Sequence, residues 1–270
     1  MPLTNILFYI LPSFLLSSFC RMEQKESKVL ICYAKLKPEV VKGYKMIIVE
    51  PKHYLPSTIR VFKIQNEEIY AYISFGEVNS NADHYAKVAQ YTSGKNEQWD
   101  SHYLNLESPE TVKVLLDLVA KIFASGYDGL FMDNIDNFTQ FGPQKDQHAA
   151  VIQLIKKIKN LYPNKKFIQN AGLELVPETA PYISSLAIES VATNYDFKHQ
   201  TYQLSDEERW TSLRSAVLAI KNKFNKNVLL IEYADNPELK KAILNRVEDL
   251  NCALFMGTID LQQQPQLDPN

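Results

Sequence analysis

The chain has 270 residues, with 29 Lys and Arg against 31 Asp and Glu for a formal charge of −2, so it carries no basic field to hold a nucleic-acid backbone. With 46% hydrophobic and 11% aromatic residues it can build one large core, and its length, less a leader, suits an α/β barrel of about 250 residues. Three cysteines are too few for a disulfide framework, and with no Cys-x-x-Cys or paired-His spacing they do not suggest zinc.

The first residues read as a leader. Leu3 to Phe19 is an uncharged apolar stretch, short for a membrane span and interrupted by Pro12, which favours a secretory h-region. Behind it, Leu16-Ser17-Ser18-Phe19-Cys20 resembles a bacterial lipoprotein cleavage site, with Cys20 as the lipidated residue and Arg21 to Lys28 as a polar tether. Residues 1–28 are therefore expected to export the chain to the cell envelope. The alternative is an uncleaved leader, or an ordinarily cleaved one and a secreted protein. Membrane contact is expected only through the lipid anchor.

Eight apolar runs of strand length follow: Val29–Tyr33, Met46–Val49, Ile69–Ser74, Gly129–Asp133, Phe167–Asn170, Leu186–Glu189, Val228–Tyr233 and Ala253–Gly257. Helical periodicity is clearest over Pro109–Ser125, Lys145–Tyr162, Ser205–Phe224 and Asn236–Leu250. Ser108-Pro109-Glu110 supplies a cap, a first-turn proline and an early acid, and the helix closes on Gly126. Ser205-Asp206-Glu207-Glu208 reads as a capping box, and Asn236-Pro237-Glu238 opens the last helix. Strand–helix alternation with eight strands predicts a parallel sheet closed into a (β/α)8 TIM barrel over residues 29–262, with 263–270 as a tail. Leu36–Tyr44 and Ala171–Ser184 leave little room for a full helix and are read as turns or single helical turns. Asn79 to Tyr103 is a long insertion whose aromatics, Trp99 among them, suit either stacking on sugars or stapling the loop. Cys32 and Cys252 fall in apolar runs and read as small core residues.

Several runs end in acid. Glu77 lies just past the third, Asp133 ends the fourth with Asp136 three residues on, Glu189 ends the sixth, and Glu232 precedes Tyr233 in the seventh. Burying a carboxylate without a partner costs several kcal/mol, so acids after several core strands point to a shared cleft at the strands' carboxyl ends rather than to stability. The bland reading is that each acid caps a helix or meets a cation; Asp133 is a plausible cap, but Glu is a poor one. The candidate cleft holds Glu77, Asp133, Asp136, Glu189 and Glu232, with Asn170, Tyr72 and Tyr233 nearby. Paired carboxylates are the minimal equipment for glycoside hydrolysis. There is no Gly-x-Ser-x-Gly elbow and no phosphate-binding glycine loop. No cofactor or metal is expected, although hard divalent cations do take carboxylate oxygens.

The segments Val49-Glu50-Pro51-Lys52-His53-Tyr54, Ala71-Tyr72-Ile73-Ser74-Phe75-Gly76-Glu77, Gly126-Tyr127-Asp128-Gly129-Leu130-Phe131-Met132-Asp133-Asn134-Ile135-Asp136, Gln169-Asn170-Ala171-Gly172, Ile188-Glu189-Ser190 and Glu232-Tyr233-Ala234-Asp235 together resemble the glycoside hydrolase 114 family of endo-α-1,4-polygalactosaminidases and their TIM-barrel relatives. The resemblance implies that Asp133 and Glu189 are the catalytic carboxylates and that the substrate is a polymer of α-1,4-linked galactosamine. Where family members commonly show Asp-Tyr on the seventh strand, this chain has Glu232-Tyr233. Glu77, Asp136 and Glu232 are expected to pair with substrate ammonium groups, and Asn170, Tyr72 and Tyr233 to complete the binding site. Asp133, among polar neighbours, is expected to act as nucleophile or base; Glu189, after Ala187-Ile188, sits in an apolar setting that suits a proton donor. The alternative from another class is a non-catalytic amino-sugar-binding lipoprotein on the same barrel, which would have no need of both carboxylates.

Overall fold

A computed structural model describes residues 29–265; the expected leader with Cys20, and residues 266–270 of the tail, lie outside the described residues. Eight parallel strands form one sheet in chain order: β1 Val29–Cys32, β2 Met46–Val49, β3 Glu68–Ser74, β4 Gly129–Asp133, β5 Lys166–Asn170, β6 Ser185–Glu189, β7 Asn227–Tyr233 and β8 Ala253–Gly257. Every neighbouring pair is parallel. The first and last strands come together, and just beyond them the Tyr33 amide donates to the Leu261 carbonyl at 2.8 Å. The fold is a (β/α)8 TIM-type barrel.

Side chains alternate along each strand, which splits the core in two. Ile31, Ile48, Tyr70, Phe131, Ile168, Ala187, Leu229 and Ile231 fill the barrel interior. The alternate positions, among them Ile47, Leu130, Phe167, Leu186 and Leu230, pack outward against the helices. At the amino-terminal end of the barrel a Lys166–Glu68 ion pair, joined by the Tyr70 hydroxyl, closes the floor.

The longer helices are α1 Pro56–Gln65, α2 Pro109–Ala124, α3 His148–Leu161, α4 Glu207–Phe224 and α5 Pro237–Val247. Ser108 caps α2, accepting from the Thr111 amide, and Leu115, Val119, Ile122 and Phe123 form its buried face. The cap of α4 is Asp206, not Ser205; Ser205 turns back and donates to the Val191 carbonyl at 3.0 Å. Short helical turns at Pro38–Val40, Leu173–Leu175 and Val176–Thr179 stand in the two connections too short for a full helix. Helix α1 was not legible: its capping position is Leu55, without a side-chain cap, and the exposure of Leu55 and Ile64 blurs the apolar stripe.

Two excursions rise over the carboxyl ends of the strands. The insertion after β3 folds into a three-stranded antiparallel sheet of Glu77–Asn79, Thr92–Asn96 and Ser101–Leu104. A hairpin of Thr193–Asp196 and Thr201–Leu204 follows β6. Of the cysteines, Cys32 is fully buried and Cys252 is half-buried against the outer core.

Candidate active site

The position of each site residue follows from strand parity. Phe131, Ile168, Ala187 and Ile231 point into the barrel, so the residues two further along point inward again at its mouth: Asp133, Asn170, Glu189 and Tyr233. Tyr72 and Ser74 on β3, and Glu50 just past β2, occupy equivalent positions, and all of these residues line one cavity.

Their polar atoms form one network. Asn170 Nδ2 donates to Asp133 Oδ1 at 2.8 Å and to Glu189 Oε1 at 2.6 Å. The two acceptor oxygens are therefore within about 5.4 Å of each other, the most that two such bonds to one nitrogen allow. Tyr72 donates its hydroxyl to the second Asp133 oxygen at 2.9 Å, and Tyr233 donates to the second Glu189 oxygen. The Glu189 carboxyl is pushed above the usual carboxylate range, first by desolvation and then by the charge of Asp133; the bonds from Tyr233 and Asn170 oppose the shift. Burial likewise raises Glu50, with Lys52 opposing. It raises the tyrosine hydroxyls of Tyr33, Tyr72 and Tyr233, so these remain neutral donors.

The backbone leaves three of these strands by the same route. Asn134, Ala171 and Ser190, each directly after a site residue, have φ of 58°, 56° and 55°, a left-handed conformation that is uncommon outside glycine and typical of functional turns. Asn134 is held there by the Ser74 hydroxyl, which donates to its Oδ1 at 2.6 Å while accepting from the Glu77 amide. Gly76 is needed by close approach: a Cβ there would lie 2.7 Å from Asn134 Cβ and 2.9 Å from the Asn134 carbonyl oxygen.

The remaining acids separate. Asp136 stands exposed on the cavity rim; the protein crowded around its carboxyl, and then the charge of Asp133, raise it. Glu77 reaches the cavity wall but its carboxylate is engaged by Ser101, Asn96 and Asn137, tying the insertion to the turn after β4. Glu232, expected in the cleft, is not there. It is 0% exposed and points outward, because Ile231 and Tyr233 on either side point inward. It accepts from the amides of Val191 and Ala192 at 3.0 and 2.9 Å, and from the Thr193 amide and hydroxyl at 3.0 and 2.6 Å. Its carboxyl, raised by burial, is an anchor for the turn after Glu189. Sequence reasoning passed over Glu50 and Tyr33; the signal available for Glu50 was the same acid-after-strand punctuation, Ile48-Val49-Glu50-Pro51. Among the described residues no group of three or more His, Cys, Asp and Glu could hold a metal ion.

The model of glycoside hydrolase family GH114 matches residues 25–265. The chain belongs to this family. It is a glycoside hydrolase. This GH114 barrel superposes on the glycoside hydrolase domain of PelA from Pseudomonas aeruginosa with a TM-score of 0.78 and 25% identity, covering 88% of this chain and 96% of that one. Ega3 from Aspergillus fumigatus, solved in complex with galactosamine, shares the fold at a TM-score of 0.70 and 15% identity, over 88% of this chain and 93% of that one. An uncharacterised Methanocaldococcus jannaschii protein, MJ1477, is 24% identical over 244 residues, 82% of this chain and 68% of the relative.

Proposed function

We propose that this GH114 member cleaves an α-1,4-linked galactosamine polysaccharide by a double displacement, with Asp133 as nucleophile and Glu189 as proton donor. The observation that carries the reading is the pair of carboxylates held by one Asn170 amide nitrogen. With those two oxygens at most about 5.4 Å apart, the pair is closer than the ~6.5–9.5 Å at which inverting enzymes seat a water and suits the closer arrangement of retaining ones. Asp133 attacks the anomeric carbon as Glu189 protonates the departing glycosidic oxygen. A glycosyl ester on Asp133 results. Glu189, now ionised, takes a proton from water, whose oxygen attacks the same carbon and releases the sugar and the Asp133 carboxylate. The raised Glu189 carboxyl suits the first step, and the two donors on Asp133 suit an anion that attacks. Tyr72, Tyr233 and Asn170 hold the carboxylates in place.

Likeness to the PelA domain, and a fold shared with a protein solved with galactosamine, support the substrate class. Glu50 and Asp136, acids of the cavity that among the described residues form no ion pair other than Glu50 with Lys52 at 3.9 Å, suit ammonium groups. De-N-acetylated α-1,4-galactosaminan incubated with the protein should yield oligomers whose new reducing ends first appear as the α-anomer by proton NMR. Absence of cleavage would refute the reading; β-anomers would refute the double displacement. Export, with Cys20 acylated, stands as a proposal from the leader sequence; mass spectrometry of the native chain should find Cys20 at the amino terminus, against an intact Met1 or a cut beyond Cys20.

A further inference from the structure

The two excursions above the barrel meet at their tips. Trp99 lies in the turn between Thr92–Asn96 and Ser101–Leu104, and Phe197 in the turn of the hairpin after β6. Their rings pack edge to face with centroids 6.0 Å apart. Strands β3 and β6 stand three places apart in the ring of eight, so this contact is a chord across the mouth, over the ends of β4 and β5 where Asp133 and Asn170 point inward. Trp99 lines the same cavity as Asp133 and Glu189. The aromatic line continues from Phe197 to Tyr195 at 4.9 Å and on to Tyr202 at 4.7 Å, whose hydroxyl accepts from the Ile259 amide beyond β8.

Both tips are fixed locally. Asp196 Oδ1 accepts from the amides of Lys198 and His199. Asn96 Oδ1 accepts from the Gln98 amide, and Lys95 pairs with Glu97 and Asp100. Yet Trp99 and Phe197 are 53% and 51% exposed. Large aromatic faces held in water on ordered turns forgo much of the burial that such rings normally obtain. A stabilising staple would bury them.

We propose that Trp99 and Phe197 form an aromatic bridge over the active-site cleft, beneath which the polysaccharide passes with sugar rings stacked on Trp99. The inference rests on the galactosamine-polymer reading of this site. The axial C4 oxygen, which carries the linkage in the polymer, leaves the C3, C4 and C5 hydrogens of galactosamine on one face as an apolar patch that fits an indole, and the ammonium group adds attraction to the ring's negative face. The acids of the cavity below match the chain's positive charge.

The test uses the chain's two tryptophans. Trp210 lies on α4 under Arg246, 5.0 Å from its ring centroid, so Trp210→Phe leaves Trp99 as sole reporter. In that protein carrying Asp133→Asn, fragments of de-N-acetylated α-1,4-galactosaminan should quench and shift Trp99 emission. In the otherwise native enzyme, Trp99→Ala should raise KM on the polymer about three- to tenfold, the worth of one aromatic contact, with a smaller effect on kcat, and Trp99→Phe should recover most of the loss. If the native enzyme cleaves the fragments while Trp99 emission and the KM of Trp99→Ala stay unchanged, the bridge is refuted. Failure of the native enzyme to cleave them overturns the substrate reading, and the bridge with it.

Discussion

Replacing Glu189 by Gln should abolish proton donation and make the folded protein more stable near neutral pH. In the native enzyme Glu189 and Asp133 are two carboxylates with oxygens within about 5.4 Å; at the effective dielectric of about 20 that suits protein sites, their repulsion when both are ionised is about 3 kcal/mol. The substituted amide retains the geometry: its carbonyl accepts from Asn170, and its NH2 group donates to a rotated Tyr233 hydroxyl. Two charge-assisted bonds become neutral ones, a loss of about 1 kcal/mol each. The net gain is about 1 kcal/mol, or roughly 2–4 °C in Tm for a chain of this size. The sign with pH is specific. Because the folded carboxyl is raised, the stability Glu189 contributes is fully present below its unfolded pKa and is lost as pH rises through the folded one. The Glu189→Gln variant's advantage should therefore be small near pH 4, below the usual Glu value of about 4.3, and grow toward pH 7–8. Scanning calorimetry of both proteins across that range measures it. A lower Tm at neutral pH, or a gain independent of pH, would refute the assignment of Glu189 as the strained partner.

Glu232→Ala should destabilise the fold by about 3–5 kcal/mol, because three buried amides and a threonine hydroxyl lose a common acceptor; urea unfolding checks this, and a change under about 1 kcal/mol would return Glu232 to a role in ligand binding. Gly76→Ala should cost about 1–3 kcal/mol by overpacking and lower kcat by displacing Asn134 beside Asp133; steady-state kinetics with a thermal melt would expose an unstrained site if both stay native. Asp136→Asn should reduce the kcat/KM preference for free-amine over N-acetylated polymer by about two- to fivefold at low salt, a surface-charge effect of a few tenths to one kcal/mol, and added salt should shrink the difference. An unchanged preference would remove Asp136 from substrate recognition.

The barrel was legible because its strands are buried on both faces and read as continuous apolar runs. The site was legible in part because Asp133, Asn170 and Glu189 end such runs. Glu232 shows the limit of that cue. Acid after a strand marks a cleft only if the residue has inward parity, and parity is visible only once the interior of β7 is known to be Leu229, Ile231 and Tyr233. Glu50 was passed over because β2 is a run of only four residues closed by Pro51. The hairpin after β6 has no glycine at its turn; its geometry comes from Asp196 and from Gln200 at φ 55°, a signal too local for periodicity to detect. The left-handed residues after Asp133, Asn170 and Glu189 left no mark either, since only Asn134 is a residue type that favours that conformation.

The division of labour between Asp133 and Glu189 is tested most directly by leaving-group dependence. Both Glu189→Gln and Asp133→Asn should lower kcat on the polymer by at least about 10²-fold while binding persists. On an aryl α-galactosaminide whose leaving group needs no proton, Glu189→Gln should recover the first displacement, read as a burst of aryl release while the glycosyl ester builds up on Asp133, and Asp133→Asn should remain inactive. Recovery by Asp133→Asn instead would reverse the two roles, and near-native activity of both variants on the polymer would place the chemistry elsewhere.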